Sequence, residues 1–371
     1  MKLLGGLPPR TFLRRYWQKR PLLVRGALPG FAGVLDKRAL AALAVRDDVE
    51  SRIVKRRRGR WETAHGPFSG EITLRRNSTL LVSGVNLHLV AADALLRRFA
   101  FVPQARLDDL MVSYAAAGGG VGPHVDSYDV FLLQGFGRRR WRYGCQDDCT
   151  LDERLPLKIL KRFTPARDDV LGPGDMLYLP PQFAHEGTAL DACTTYSIGF
   201  RAAGANELAT AFLDFLRDGL DLPGRYADPG LAPTRHPARI DAAMRRQCAG
   251  MLARIRWDAA DIARFLGCWL SEPKPQVFFA PPTAPLPRAA FARAAARRGM
   301  RLDRRTQLLY DNHHLFINGT ARPWPAEGAR ALARLADRRS LDAREAAALP
   351  APVVALLHDW YRDGFLRPDA D

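Results

Sequence analysis

Two stretches decide the fold: Gly118-Gly119-Gly120-Val121-Gly122-Pro123-His124-Val125-Asp126 and Gly174-Asp175-Met176-Leu177-Tyr178-Leu179-Pro180-Pro181-Gln182-Phe183-Ala184-His185. In the first, His124 and Asp126 stand two residues apart. Side chains i and i+2 of a strand share a face, so an imidazole and a carboxylate converge on one point. In the second, a Gly-Asp turn opens a strand, Pro180 ends it, and His185 stands at the start of the next. Two histidines and an aspartate on one face make a facial ligand set for a divalent metal. Three positions stay open, which suits Fe(II) with a bidentate cosubstrate and O2. A phosphate-cradling glycine loop at 118–122 is excluded, because no Lys-Ser/Thr follows.

The spacings G-x5-H-x-D and G-x5-P-x4-H resemble, in order, the two metal-binding motifs of the cupin double-stranded β-helix. The flanking sequence agrees with a barrel. Short apolar or alternating runs recur at Leu22–Val24, Glu71–Leu74, Thr79–Val82, Leu110–Tyr114, Val130–Gln134, Arg138–Tyr143, Asp175–Leu179 and Thr194–Phe200. Gly, Pro and Asp punctuate them, as expected for a sandwich or barrel. A few helices interleave, at Pro9–Gln18, Lys37–Leu43 and Ala91–Phe99.

A 2-oxo acid that chelates iron needs a cation for its far carboxylate. Residues 138–143 read Arg-Arg-Arg-Trp-Arg-Tyr. Period two puts Arg138, Arg140 and Arg142 on one face and Arg139, Trp141 and Tyr143 on the other. Three inward arginines would be intolerable, so the aromatic face is the inner one. Arg139 then points into the barrel as a buried cation in need of a carboxylate, which a guanidinium binds bidentately. A protein carboxylate is the alternative partner. Ser113, Thr195 and Ser197, on neighbouring strands, are candidates to complete the hydrogen bonding.

Composition changes near residue 202. Leu208, Phe212, Phe215 and Leu216 follow helical spacing within 206–220, and Pro237–Leu266 continues in that style. Such helices bury little alone and are expected to pack on the barrel or on a second copy. The Pro-rich stretch Pro273–Pro287 reads as a linker. The tail after it suggests helices at Ala289–Arg298, Ala326–Ala336 and Ala346–His358 around a small hairpin, a winged-helix-like arrangement. The expected domains are 1–205, 206–272 and 273–371.

Of 371 residues, 47% are hydrophobic and 26% charged, which excludes disorder throughout. No run of eighteen apolar residues and no signal-peptide core occur, so no membrane span and a cytoplasmic location are expected. The net charge is +17. That points to polyanionic partners, nucleic acid above all, although only seven of the 56 cations are Lys and an Arg/Ala-rich genome writes the same balance. The run Lys55-Arg56-Arg57-Arg58-Gly59-Arg60 reads as a hairpin tip, either merely solvated or in contact with phosphate. Five cysteines without a secretory signal are expected to be free thiols, the Cys145/Cys149 pair included.

These residues resemble the JmjC-type Fe(II)/2-oxoglutarate oxygenases, and among them the bacterial ribosomal oxygenases that hydroxylate an arginine of the 50S subunit. The resemblance includes Tyr16–Pro21 and His65–Phe68, is densest over Gly118–Gly144, and resumes at Gly172–Gly187 and Tyr196–Arg201. It implies a mixed α and β chain: a JmjC/cupin barrel, a helical dimerisation segment and a C-terminal winged helix. It places the metal ligands on His124, Asp126 and His185, and the 2-oxoglutarate cation on Arg139. It implies β-carbon hydroxylation of an arginine in the sixteenth large-subunit ribosomal protein by a homodimer. The positive charge adds, as an expected partner, ribosomal RNA on partly assembled subunits. The region Cys145–Leu157 departs from the pattern and is expected to be an insert away from the ligands.

Three other readings share some of these features. Histidyl hydroxylation or lysine demethylation would use the same chemistry. A non-oxygenase metal cupin would not need an inward Arg139. A cupin ligand sensor could regulate nucleic acid through the C-terminal domain. Because the proposed substrate is itself basic, the pocket mouth must carry carboxylates; Asp129 and Glu186, near the ligands in sequence, are the candidates.

Overall fold

The computed structural model describes residues 2–369. The chain divides into two compact units. One comprises the chain up to Ala202 with Pro273–Thr306 and the segment from Arg330 onward; the other comprises Ala203–Glu272 with Gln307–Ala329.

The first unit opens with α1 (Pro9–Arg15), β1 (Leu22–Val24), α2 (Lys37–Ala44), β2 (Ser51–Arg57), β3 (Arg60–His65), β4 (Ser78–Val82), α3 (Val85–His88) and α4 (Val90–Arg97). Then follow β5 (Leu107–Ala115), β6 (Val130–Gln134), β7 (Arg139–Cys145), β8 (Arg167–Leu171), β9 (Met176–Leu179), β10 (Phe183–Ala189) and β11 (Cys193–Phe200). Eight strands form one sheet in the order β1-β9-β6-β11-β5-β4-β2-β3, and a second sheet runs β10-β7-β8. Together they make the double-stranded β-helix. No strand forms at Glu71–Leu74, where one was expected. Gly70 turns the chain at φ +75°, and Ile72 and Leu74 reach the core from irregular backbone.

Parity along the strands builds two cores. In β6, Phe131 and Leu133 face outward with Tyr178, Tyr196 and Phe200, under Phe12 of α1 and Leu95 and Leu96 of α4. Val130 and Leu132 face inward with Trp141, Tyr143, Leu177 and Leu179. Strands buried on both faces need continuous apolar runs, as Val130–Leu133 and Met176–Leu179 supply. The helix α2 starts where Asp36 accepts the Ala39 N–H at 2.8 Å.

The second unit holds α5 (Ala205–Gly219), α6 (Ala242–Leu252), α7 (Ala259–Ser271) and an antiparallel three-stranded sheet over residues 308–323. A Cβ at Gly267 would lie 2.3 Å from the Phe316 ring, so this glycine lets α7 lie flat on the sheet. Neither α5 nor α6 buries a residue, and Leu213, Leu252 and Trp257 stand more than half exposed. In the first unit, the C-terminal segment adds helices Arg288–Arg298, Ala329–Arg338 and Ala351–Arg362 and a small sheet joining residues 300–302, 340–341 and 366–368.

Candidate metal and cosubstrate site

His124 lies in the loop after β5, and His185 in β10. The two residues form an isolated antiparallel bridge, the N–H of each donating to the carbonyl of the other at 3.0 and 2.9 Å. The imidazoles are therefore neighbours, with centroids 4.2 Å apart. Asp126 closes the group: its carboxylate oxygens lie 4.0 Å from His124 Nε2 and 3.7 Å from His185 Nε2. Among the described residues these three form the one group able to offer three ligand atoms to an ion. Each Nδ1 is 2.9 Å from a backbone carbonyl, that of Gly122 for His124 and of Phe183 for His185. A carbonyl only accepts, so each Nδ1 carries the proton and each Nε2 lone pair is free for a metal. Burial pushes His185 down to about 4, so its ring is neutral across the physiological range. Gly120 permits the close approach beneath this bridge, since a Cβ there would sit 2.5 Å from the Gly187 carbonyl.

The face of β7 that was expected to be inner is buried: Arg139, Trp141 and Tyr143 lie inside, and Arg140 points out. Arg139 is 5% exposed. Its Nη1 reaches Ser113 Oγ at 3.5 Å, and its guanidinium lies 5.7 Å from the Trp141 ring centre. Its Nε and Nη2 have no partner, and no carboxylate of the described residues pairs with it. A protein acid as its counterion, the alternative partner for this cation, is thus not found. An orphaned buried fork of this kind fits a dicarboxylate ligand. Ser113 and Thr195 face each other across β5 and β11, and Ser197 faces Met111. Thr195 donates to Gln134 Oε1 at 3.1 Å. Ser197 lines the cavity that also reaches His124, Asp126 and His185. The cavity measures about 670 Å³.

Two expected substrate contacts fail. Asp129 shares parity with Phe131 and so lies on the outer face, fully buried. There it accepts hydrogen bonds from Tyr178 at 2.5 Å, Gln18 at 3.1 Å and Arg106 at 3.5 Å. Glu186 alternates outward from His185 and pairs with Arg142. Neither lines the cavity. Its acids are instead Glu50, Asp108 and Asp109, besides Asp126. Lys274, from the Pro-rich stretch, sits 3.2 Å from Asp108 and 3.7 Å from Asp109. Burial pushes the Asp109 carboxyl up against the pull of Lys274. The insert is not remote either: Pro156 and Leu157, with Lys158 just beyond it, line the same cavity. Cys145 and Cys149 are exposed free thiols.

Residues 94–208 match the JmjC domain model, and residues 254–367 match the ROXA-like winged helix. The chain is 38% identical over 279 residues to the ribosomal protein uL16 3-hydroxylase of Escherichia coli K12, covering 74% of each chain. The X-ray structure of E. coli YcfD superposes with a TM-score of 0.85 at 32% identity, over 97% of this chain and 98% of that one. The ribosomal oxygenase YcfD from E. coli in complex with cobalt and 2-oxoglutarate gives 0.82 at 33% identity, over 97% and 98%. No helix of the described residues is long and apolar enough to cross a membrane. By sequence and by fold, this chain belongs to the JmjC-domain ribosomal oxygenase family.

Proposed function

We propose that this chain is a 2-oxoglutarate-dependent protein hydroxylase that modifies the β-carbon of an arginine in the large-subunit ribosomal protein uL16. The observation that carries the reading is Arg139: a buried, carboxylate-free guanidinium in the same barrel as a two-histidine, one-aspartate cluster. His124, Asp126 and His185 would hold Fe(II), which with 2-oxoglutarate and O2 supplies the oxidising power for C–H hydroxylation. Arg139 would anchor the far carboxylate of the cosubstrate, with Ser113, Thr195 and Ser197 nearby as polar support. The E. coli relative is named a uL16 3-hydroxylase, and carbon 3 of an amino acid is its β-carbon.

The cavity lining mixes the acids Glu50, Asp108 and Asp109 with the cations Arg52, Lys158 and Lys274, and its carboxylates support a cationic target. Asp108 and Asp109 would receive a guanidinium with the carboxylate capacity that Lys274, and Arg201 at Asp108, leave open. Histidine, neutral near pH 7, has less use for two carboxylates. The apolar exposure of α5 and α6 supports a homodimer built through this helical segment. Ribosomal proteins are made and assembled in the cytoplasm, which would be the place of action.

The test is mass spectrometry of a uL16 fragment incubated with the protein, Fe(II), 2-oxoglutarate and O2. A gain of 16 Da on one arginine, matched by succinate and without formaldehyde, is expected. Formaldehyde release from methyl-lysine peptides would favour demethylation instead. Absence of 2-oxoglutarate consumption with any protein substrate would favour the ligand-sensing regulator.

A further inference from the structure

The β2–β3 hairpin ends in cations at 55, 56, 57, 58 and 60, and Arg75 and Arg76 lie beside it where Arg56 N–H donates to the Asn77 carbonyl at 2.9 Å. From Arg56 to Arg60 the tip is exposed, as are Arg75 and Arg76. Three arginines of β7 and the turn before it are paired by contrast: Arg138 with Asp191, Arg140 with Asp168, Arg142 with Glu186. Among the described residues, none of these hairpin and loop cations forms an ion pair, and Glu62, opposite Lys55 in register, does not either. Seven cations, at 55, 56, 57, 58, 60, 75 and 76, thus stand together without a counterion among the described residues.

The turn reinforces the point. Arg58 and Gly59 take φ of +47° and +80°, the two-residue geometry that Asn-Gly serves best. An arginine in this left-handed region is costlier than the Asn that usually occupies it. The hairpin is also fixed to the site. Trp61 lies beneath Arg56, 5.4 Å from ring centre to guanidinium, and packs over Gly122, whose carbonyl holds His124. Thr63 and His65 of the same strand line the cavity. The charged tip therefore stands about 10 Å along β3 from the cavity wall, at about 3.3 Å per residue.

We propose that this hairpin is an RNA-binding surface that grips the phosphate backbone next to the cavity, so that the enzyme docks on RNA carrying its protein substrate. A basic ribosomal protein would be repelled by the tip, whereas the RNA it binds is attracted. The RNA contact stands on the hairpin alone; that the RNA carries the protein substrate rests on the uL16 reading above.

The test uses the full-length protein and a fluorescein-labelled 30-nucleotide RNA hairpin of arbitrary sequence, followed by anisotropy from 50 to 300 mM KCl. Replacing Arg56, Arg57, Arg58 and Arg60 together by Ser is expected to raise Kd at least about tenfold and to flatten the log Kd against log salt slope by about 3. A control removes four exposed arginines elsewhere, Arg38, Arg288, Arg293 and Arg297, and is expected to change Kd less than about twofold. Equal losses in both variants, or an unchanged Kd in the hairpin variant, would overturn the proposal. Thermal melting establishes that each variant is folded. Hydroxylation of a short uL16 peptide separates the two claims: the hairpin variant is expected to keep wild-type kcat and KM, whereas peptide inert to wild-type enzyme would sink the uL16 reading and leave the RNA measurement standing.

Discussion

His124 and His185, 61 residues apart in the chain, exchange both backbone hydrogen bonds, so the pairing that closes the barrel also sets the two imidazoles side by side. Asp126 is then aligned by its place two residues after His124. Replacing any one of the three by Ala is expected to abolish 2-oxoglutarate turnover and to weaken metal binding by at least about 100-fold, judged against the 10–100-fold effect of merely losing a supporting hydrogen bond. Equilibrium dialysis with Co(II), together with succinate formation, checks this. Undiminished turnover in any of the three variants would refute the ligand assignment.

If Arg139 anchors the cosubstrate as proposed, Arg139→Ala removes a bidentate charged contact worth about 3 kcal/mol, and the KM for 2-oxoglutarate is expected to rise about 100-fold. Arg139→Met makes the opposite mark on the empty protein. It replaces an unpartnered buried cation by an apolar side chain of similar length, and the apo Tm is expected to stay level or rise. A large fall in apo Tm, with an unchanged KM, would mean that the guanidinium serves the fold and not the cosubstrate.

Asp109→Asn keeps the size of the cavity wall and removes the carboxylate that is proposed to receive the substrate guanidinium. The KM for a uL16 peptide is expected to rise between about tenfold and 100-fold, with the 2-oxoglutarate KM unmoved. Asp129→Asn is the contrasting case. Its carboxylate serves the outer core through Tyr178, Gln18 and Arg106, so Tm is expected to fall while the peptide KM holds. Steady-state kinetics varying each substrate in turn distinguishes the two.

Asp175 opens the second motif strand and ties it to the chain near β1. Burial raises its carboxyl, but the Gly26 N–H, Arg25 and the Gly172 N–H outweigh that, and it lies below the usual carboxylate range. A carboxylate held low in the folded state stabilises fully above its unfolded value near about 3.9, and that stability is lost as pH falls through the folded value. Asp175→Ala is expected to cost about 1–3 kcal/mol at pH 7. The deficit should shrink below about pH 3.9, by urea unfolding at both pH values. An equal deficit at low pH would point to packing rather than charge.

The parts of the site written in local sequence were legible. Strand parity alone puts Arg139, Trp141 and Tyr143 inside, because a period of two leaves a choice between two faces and only one is apolar. The motif spacing brings His124 and His185 to the same turn of the β-helix. Asp129 and Glu186 were misread because nearness to a ligand in sequence says nothing about parity: each is an odd number of residues from an inward neighbour, Val130 and His185. Asp108 and Asp109 were missed for a different reason. They belong to β5, whose inner face is known only once its pairing with β11 is known, and their cation, Lys274, comes from more than 160 residues downstream. The strand expected at Glu71–Leu74 has alternation, but Ile72 and Leu74 reach the core from irregular backbone after the Gly70 turn, and alternation alone does not make a strand.

The unpartnered guanidinium of Arg139 bears on more than affinity. An isolated cation in a dry interior taxes the folded state, and a dianionic ligand that neutralises it refunds the tax in proportion to the logarithm of its concentration. On this assignment the cosubstrate is also a folding ligand. When 2-oxoglutarate runs short, the empty barrel opens more often and is exposed to proteases, so the persistence of the enzyme follows the supply of the small molecule it consumes.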